Sequence, residues 1–331
     1  MSAHIYSYRG DLIENRHAAS VAIVDPFGKL LGYAGNPELT AHLRSSAKPF
    51  QAQALFQSGA ATHFALTPKE IAITCGSHSG AARHTETISS YLKKIDLGSE
   101  CLICGAHMPF DPAASKVLRQ AGQEPTVLHS NCSGKHTGML AAALAMEAEP
   151  TGYEQPGHPV QQLNIRTLRD LSGAAQVPYG IDGCGVPAFA LQLNHAARMF
   201  AALAAPDAAP TQYQQGLATT WQAMRAHPNM VAGPERMDTV FMSQVPGLAM
   251  KSGADGYYGL ALRDTKWGPI GVAVKVESGN GDARDPLVIA VLETLGALPA
   301  DVPAEWRRPL IRNVSKREVG RFEVELNLTW L

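Results

Sequence analysis

Apolar and polar positions near the front of the chain fall into two β-rich runs. In "SVAIVDPFGKLLGYAG" they flank Asp25-Pro26-Phe27-Gly28, where proline and glycine supply turn chemistry, and a hairpin is predicted. "YYGLALRDTKWGPIGVAVKV" repeats the pattern around Trp267-Gly268-Pro269 and predicts a second hairpin. In the last residues, "RFEVELNLTWL", Phe322, Val324, Leu326, Leu328 and Trp330 alternate onto one face, the signature of a half-buried strand. Asp285 and Pro286 precede "LVIAVLETLGAL", which predicts an N-cap, proline in the first turn and a helix lying on the sheet.

Between these ends the sequence is alanine-rich. "GKHTGMLAAALAMEAE", "VQQLNIRTLRDLSG" and "VPAFALQLNHAARMFAALAA" read as helices separated by Gly and Pro, and "AALAAPDAAPTQ" as a surface connection. Thr67 and Glu70 have capping-box spacing with Pro68 at the first helical position, and Ser79 is placed to cap the helix after it. Ser77 then falls in a tight turn between helices. The fold class expected is α+β, an antiparallel sheet built from both chain ends, flanked by helices and carrying an inserted helical lobe. A single catalytic unit is expected, with a sheet lobe over approximately 1–66 and 245–331 and a helical lobe over approximately 67–244.

Composition narrows the partners. Of 331 residues 45% are hydrophobic and 17% charged, a mix that supplies a large core and no disordered tail. A net charge of -1 with acids and bases scattered offers no basic stripe for nucleic acid and no polybasic patch for a membrane surface, so a small-molecule partner is expected. The N-terminus lacks the basic and apolar segments of an export signal, and no stretch approaches the ~18 apolar residues of a membrane span; a cytoplasmic location is the expectation. Five cysteines, an odd number, point to reduced thiols. "CLIC" contains a C-x-x-C, but in a β-like run Cys101 and Cys104 point to opposite faces, which argues for burial rather than pairing.

One stretch departs from ordinary helix grammar. In "RSSAKPFQAQALFQSGA", Ser45 and Lys48 lie three residues apart at the mouth of an amphipathic run, so a helix there puts both on one face. Alone, Ser-x-x-Lys is a weak signal, equally read as a cap and a solvated lysine. Three further stretches add weight. "SNCSGKHTGM" sets Cys132, Ser133, Lys135 and His136 at a helix mouth, where free amides attract anions. "TCGSHSG" sets Ser77 and His78 among glycines, and "AMKSGADG" presents Lys251-Ser252-Gly253 before the second hairpin.

A Ser-x-x-Lys helix, a polar turn in a helical lobe and a Lys-Ser-Gly strand occur in this order in the serine β-lactamase and penicillin-binding protein superfamily. Closer still, "RSSAKPFQ", "CGSHSG", "NCSGKHTGML", "IDGCGVP" and "HPNMVAGPERMDT" together resemble the rhizobial-type, or class 3, L-asparaginase family (asparaginase II), from about residue 10 to residue 300. The resemblance implies a β-lactamase-like fold, usually dimeric, and a serine amidohydrolase that splits L-asparagine into aspartate and ammonia. It implies that Ser45 and Ser77 are the catalytic serines, with Lys48 partner to the first and Lys135 to the second. It also implies a zinc ion beside this centre, held by Cys132, Lys135 and Cys184.

The chemistry sets a condition on Lys48. An amide needs a strong nucleophile, a place for negative charge on its carbonyl oxygen and a proton for departing ammonia. A neutral lysine amine can take a serine proton and return it. Holding it half neutral near pH 7 requires a shift of about 3 units from ~10.4, roughly 4 to 5 kcal/mol. Burial and a neighbouring cation push that way, and Lys135, Lys251 or a metal could supply the cation.

Ser45, at a helix mouth, is favoured as nucleophile, with Ser77 able to attack or to relay a proton. Zinc is expected to modulate rather than to be essential. Arg44 and Arg236 are candidates for the substrate carboxylate, Asp182 or Asp238 for its ammonium group, and Lys251 is a further substrate contact. His78, His107 and His136 are expected as hydrogen-bonding or capping residues rather than bases. The competing readings are a cysteine hydrolase in which Cys132 attacks with His136 at i,i+4, a β-lactam hydrolase, and a non-catalytic zinc or redox sensor.

Overall fold

The computed structural model describes residues 2–299 and 301–331. The chain divides into two compact units. One is made of residues 1–46, 190–205 and 244–331, the other of 47–189 and 206–243.

The first unit is built on an antiparallel sheet drawn from both chain ends. Its order is Leu310–Arg312, Glu318–Leu326, Ala3–Arg9, Leu12–Val24, Ile270–Val276, Tyr257–Leu262, Leu248–Ser252, and Leu30–Ala34 also pairs with Leu12–Val24. Both predicted hairpins form. Asp25 Oδ1 accepts from the amides of Phe27 and Lys29, at 2.9 Å each, and fixes the first turn. Thr265 Oγ1 donates to Gly268 O at 2.6 Å in the second.

The C-terminal alternation does not make one strand. It breaks at Asn327, whose amide donates to Ser2 O, and resumes as Thr329–Trp330 against a different neighbour, Leu30–Ala34. Trp330 there stacks on Trp267 at 4.4 Å. The following helix of the prediction also shifts. It runs Gly281–Thr294, capped by Asn280, whose Oδ1 accepts from Ala283 N at 2.9 Å, and Pro286 sits inside it. Asp285 is no cap because the helix starts four residues before it, and its carboxylate pairs with Arg284 instead.

The segment "VPAFALQL" is a further correction. Pro187–Gln192 is a strand, and helix begins only at Leu193, running to Ala204. Alanine-rich runs carry little period of their own, so partners decide: Pro187 to Phe189 pair with Tyr179–Ile181, and Ala190 to Gln192 pair with Thr40–His42. The helix that follows packs on the sheet strands. Residues 190–205 therefore belong to the sheet unit, and residues 47–66, whose short helices pack on their helical neighbours, belong to the other. These boundaries differ from those suggested by composition.

The second unit is helical around Ser133–Ala145, buried from Ser133 to Ala143. Gly134 and Gly138, four apart and so on one face, admit the Pro68–Thr74 helix: a Cβ at Gly134 would strike Ile73 O, and one at Gly138 would strike Thr74. The Pro68–Thr74 helix has the predicted capping box, Thr67 with Glu70, and Lys94 pairs with Glu70 at 2.6 Å. Its close crossing sets the residues that follow it against the first turn of the central helix.

Candidate active site

The run carrying Ser45 and Lys48 is not one helix. Arg44–Ala47 is a 3-10 turn and Lys48–Gln51 a single α-helical turn with Pro49 in it. Lys48 is 1% exposed. Its Nζ lies 2.7 Å from Gly76 O, 2.9 Å from Ser77 Oγ and 3.4 Å from Asn131 O. These three oxygens can take the three hydrogens of an ammonium, or the two hydrogens and one lone pair of an uncharged amine with the Ser77 hydroxyl as donor. Burial pushes the Lys48 amine below the ordinary lysine range; the sulfurs of Cys132 and Cys184 oppose this and the Lys135 cation adds to it.

Ser77 follows the Pro68–Thr74 helix in an irregular segment. Its amide donates to Val231 O at 2.8 Å, and Arg236 Nη1 donates to Ser77 O at 3.3 Å. The serine is buried and its position is held from three sides, by Lys48, Val231 and Arg236.

The other predicted groups of the helical unit meet around Cys184. Lys135 Nζ donates to Cys184 Sγ at 3.1 Å. Hydrogen bonding from Cys184 and the positive charges of Lys48 and Lys135 hold the Cys132 thiol well below its usual range, against burial. Cys184 is driven up, because it donates that hydrogen to Cys132 and is buried. Burial pulls Lys135 down, but Cys184 and Cys132 outweigh it and its pKa is raised, with Asp182 adding to the effect. The two lysines thus move in opposite directions. Asp182 itself turns the loop that presents Cys184: its Oδ1 accepts from Gly183 N at 2.7 Å and its carbonyl accepts from Gly185 N.

Three histidines frame these groups. His78 Nε2 donates to Ser133 Oγ at 3.0 Å while its Nδ1 accepts from Gly80 N at 3.2 Å, which assigns the neutral Nε2-H form. It stacks on His84 at 5.0 Å. His107 Nδ1 donates to Met108 O and its Nε2 accepts from Asn131 N at 2.9 Å, fixing the residue whose carbonyl faces Lys48. His136 Nδ1 meets Tyr153 OH at 2.6 Å. Burial pushes His78 and His136 well down, so both are neutral.

Three of the remaining candidates, Ser45, Arg44 and Lys251, lie in the sheet unit. Ser45 is half-buried in the 3-10 turn, and Arg44, with φ of 50°, is ion-paired with Asp255. Lys251 is fully buried, its Nζ 2.7 Å from Ser252 O, and its own carbonyl accepts from Ser46 Oγ at 2.7 Å. Asp238 is buried in the helical unit. Ser79 does not cap the next helix; the N-cap of Ala82–Lys94 is Ala81, whose amide donates to His84 Nδ1. Cys101 and Cys104 are free thiols, the second buried, as are Cys75, Cys132 and Cys184.

Sequence reasoning missed the two carbonyls, Gly76 O and Asn131 O, and the phenol of Tyr153. Main-chain oxygens leave no mark in residue type. Their residues do stand within "TCGSHSG" and "SNCSGKHTGM", so the motifs located them without revealing what they do.

The pattern of the L-asparaginase II family matches residues 5–324. The chain belongs to the L-asparaginase II family. That family is one of amidohydrolases, and no curated protein matches this member. Among solved structures, Mglu in its native form in 4.3 M NaCl is similar at 14% identity and a TM-score of 0.50, over 87% of this chain and 63% of that one. A probable glutaminase from Bacillus subtilis complexed with 6-diazo-5-oxo-L-norleucine is 12% identical with a TM-score of 0.40, over 85% of each chain. This chain spans 61 to 66% of the length of three other Mglu chains that it matches. The likeness is one of fold, the α+β, β-lactamase-like architecture. No helix among the described residues is long and apolar enough to cross a membrane.

Proposed function

We propose that this protein is an L-asparaginase that releases aspartate and ammonia from L-asparagine by serine–lysine chemistry. The observation that carries the reading is the buried Lys48 amine, 2.9 Å from Ser77 Oγ and held by two main-chain oxygens. With its hydrogens on Gly76 O and Asn131 O, the amine's lone pair faces the Ser77 hydroxyl.

In this mechanism Lys48 removes the Ser77 proton as Oγ attacks the side-chain carboxamide carbon. The tetrahedral intermediate collapses as Lys48 returns the proton to the departing nitrogen, leaving an ester on Ser77 and free ammonia. Water then attacks the ester, with Lys48 taking its proton and Ser77 regaining one. The geometry favours Ser77 for the attack over Ser45, the residue that sequence reasoning preferred. Arg236 and Asp182, in the same unit, are the proposed contacts for the substrate's carboxylate and ammonium.

Among the described residues no trio of His, Cys, Asp and Glu forms a metal site. Two sulfurs and one amine do converge, and that donor set suits zinc. Cys132, Cys184 and Lys135 would hold the ion, which when bound supplies a fixed positive charge in the surroundings of Lys48. A modulatory zinc, a homodimer and a cytoplasmic location are further parts of the proposal.

The acidity of Cys132 favours one second reading, a cysteine amidohydrolase. Against it, no side-chain hydrogen bond joins His136 to Cys132 among the described residues: Nδ1 meets Tyr153 OH and Nε2 has no partner. The test is ammonia release from asparagine and glutamine by purified protein, followed by trapping with a diazo-ketone analogue of asparagine and mapping of the adduct. An adduct on Ser77 is expected. One on Cys132 or Ser45, or no turnover of either amide, overturns the reading.

A further inference from the structure

Ser79 is 95% buried by its 5% exposure, and its Oγ has no hydrogen-bond partner among the described residues. A buried hydroxyl without a partner is disfavoured, and such groups in native proteins call for an explanation. Its neighbours are satisfied: Ser77 by Lys48, Ser133 by His78 and two carbonyls, Thr74 by Glu70 O. The Ser79 backbone is fixed too, since its carbonyl accepts from Asp111 N at 2.9 Å.

The setting of this hydroxyl is specific. Ser77 N donates to Val231 O, and two residues on, Ser79 Oγ lies against Gly233, so 77–79 runs beside 231–233. A side chain at Gly233 would collide with Ser79 Oγ and would also meet the stem of Arg236, so both flank the same spot. Arg236 in turn reaches Ser77 O. The Ser79 hydroxyl and the stem of Arg236 thus both border Gly233, and the guanidinium on that stem reaches the main chain of the proposed nucleophile two residues from Ser79. A carboxylate accepts from both, and the bond to the guanidinium is charge-assisted.

We infer that Ser79 is a substrate-positioning residue that, with Arg236, takes the α-carboxylate of the amino-acid amide. This rests on the proposed asparaginase reading. Ser79→Ala removes the donor and adds no bulk; Ser79→Cys keeps the volume with a much weaker donor. The substrates are L-asparagine and 3-aminopropanamide, which is asparagine without its carboxylate. In Ser79→Ala, kcat/KM for asparagine is expected to fall about 10- to 100-fold, mainly through KM, with 3-aminopropanamide changed less than twofold; Ser79→Cys shows the same selective loss. Equal losses on both substrates, or no loss on asparagine, overturn the inference. Calorimetric binding of L-aspartate, expected to be at least tenfold weaker in Ser79→Ala, is independent of turnover. If the unaltered protein hydrolyses neither asparagine nor glutamine, the activity reading fails by itself. Equal aspartate affinity in both proteins, or no binding by the unaltered one, overturns the role of Ser79.

Discussion

Lys48 Nζ lies 2.9 Å from Ser77 Oγ although the residues are 29 positions apart, and neither side chain is open to bulk water. The short spacing that draws the eye in the sequence is Ser45 to Lys48. The pairing that the fold makes is the distant one, because the Pro68–Thr74 helix delivers Ser77 to the buried amine.

Replacing that amine tests the base. Lys48→Arg puts a permanent cation, which cannot serve as a base, in place of the neutral amine, and kcat on asparagine is expected to fall by about 10² to 10⁴. Steady-state kinetics beside a melting curve separate this from unfolding. A folded variant within threefold of the original kcat removes Lys48 from the mechanism.

The pH profile follows from the lowered Lys48 pKa. The neutral amine is the active form, so kcat should rise with pH along an acid limb and level off below the ordinary lysine range near ~10.4. Zinc would bring two positive charges but displace two protons, one each from Lys135 and Cys184, so the net charge beside Lys48 is conserved and the limb should hold its position. A limb that zinc moves by a full unit would contradict this balance.

Zinc uptake should itself release protons. Lys135 carries a raised pKa and Cys184 holds its hydrogen, so both must be deprotonated before they ligate. Occupancy should drop as pH falls, and Cys184→Ser or Lys135→Met should weaken binding by at least about tenfold. Calorimetry in buffers of different ionisation enthalpy counts the protons; none released contradicts the assignment.

Acid should destabilise the helical unit. His78, His84 and His136 have depressed pKa values from burial, so the folded state keeps them neutral while the unfolded chain protonates near pH 6.5. Their contribution is fully present above about pH 6.5 and is lost as pH falls toward the folded values. Melting temperature against pH should decline below about 6.5, and less steeply in His84→Gln.

The helix crossing can be tested through stability. Gly134→Ala drives a methyl group toward Ile73 O and is expected to cost about 1–3 kcal/mol, a few degrees in melting temperature for a chain of this size. An unchanged melting temperature would mean that the two helices yield at this point.

Elements with their own periodicity or turn chemistry were legible in the sequence. Asp25 to Gly28 forms its turn and Thr67 with Glu70 forms its capping box, since the deciding contacts lie within a few residues. Where two residues or two neighbours competed for one place, reading failed. Asn280 starts the helix ahead of Asp285, and Leu328 would continue a strand except that the chain changes neighbours at Asn327. The site divides in the same way. Cys132, Lys135 and Ser77 stood out as reactive types in glycine-bounded stretches and Cys184 entered only through the family resemblance, whereas the hold of Gly76 and Asn131 on Lys48 runs through peptide oxygens that every residue possesses.

That last feature bears on how such a centre withstands genetic drift. Two of the three anchors of the amine belong to the polypeptide's common scaffold, so exchanging the side chain at 76 or 131 cannot delete them; only rerouting the chain can. Inheritance of the base is thereby concentrated on a single codon, at position 48, while its cradle is shared by every replacement that preserves the local path.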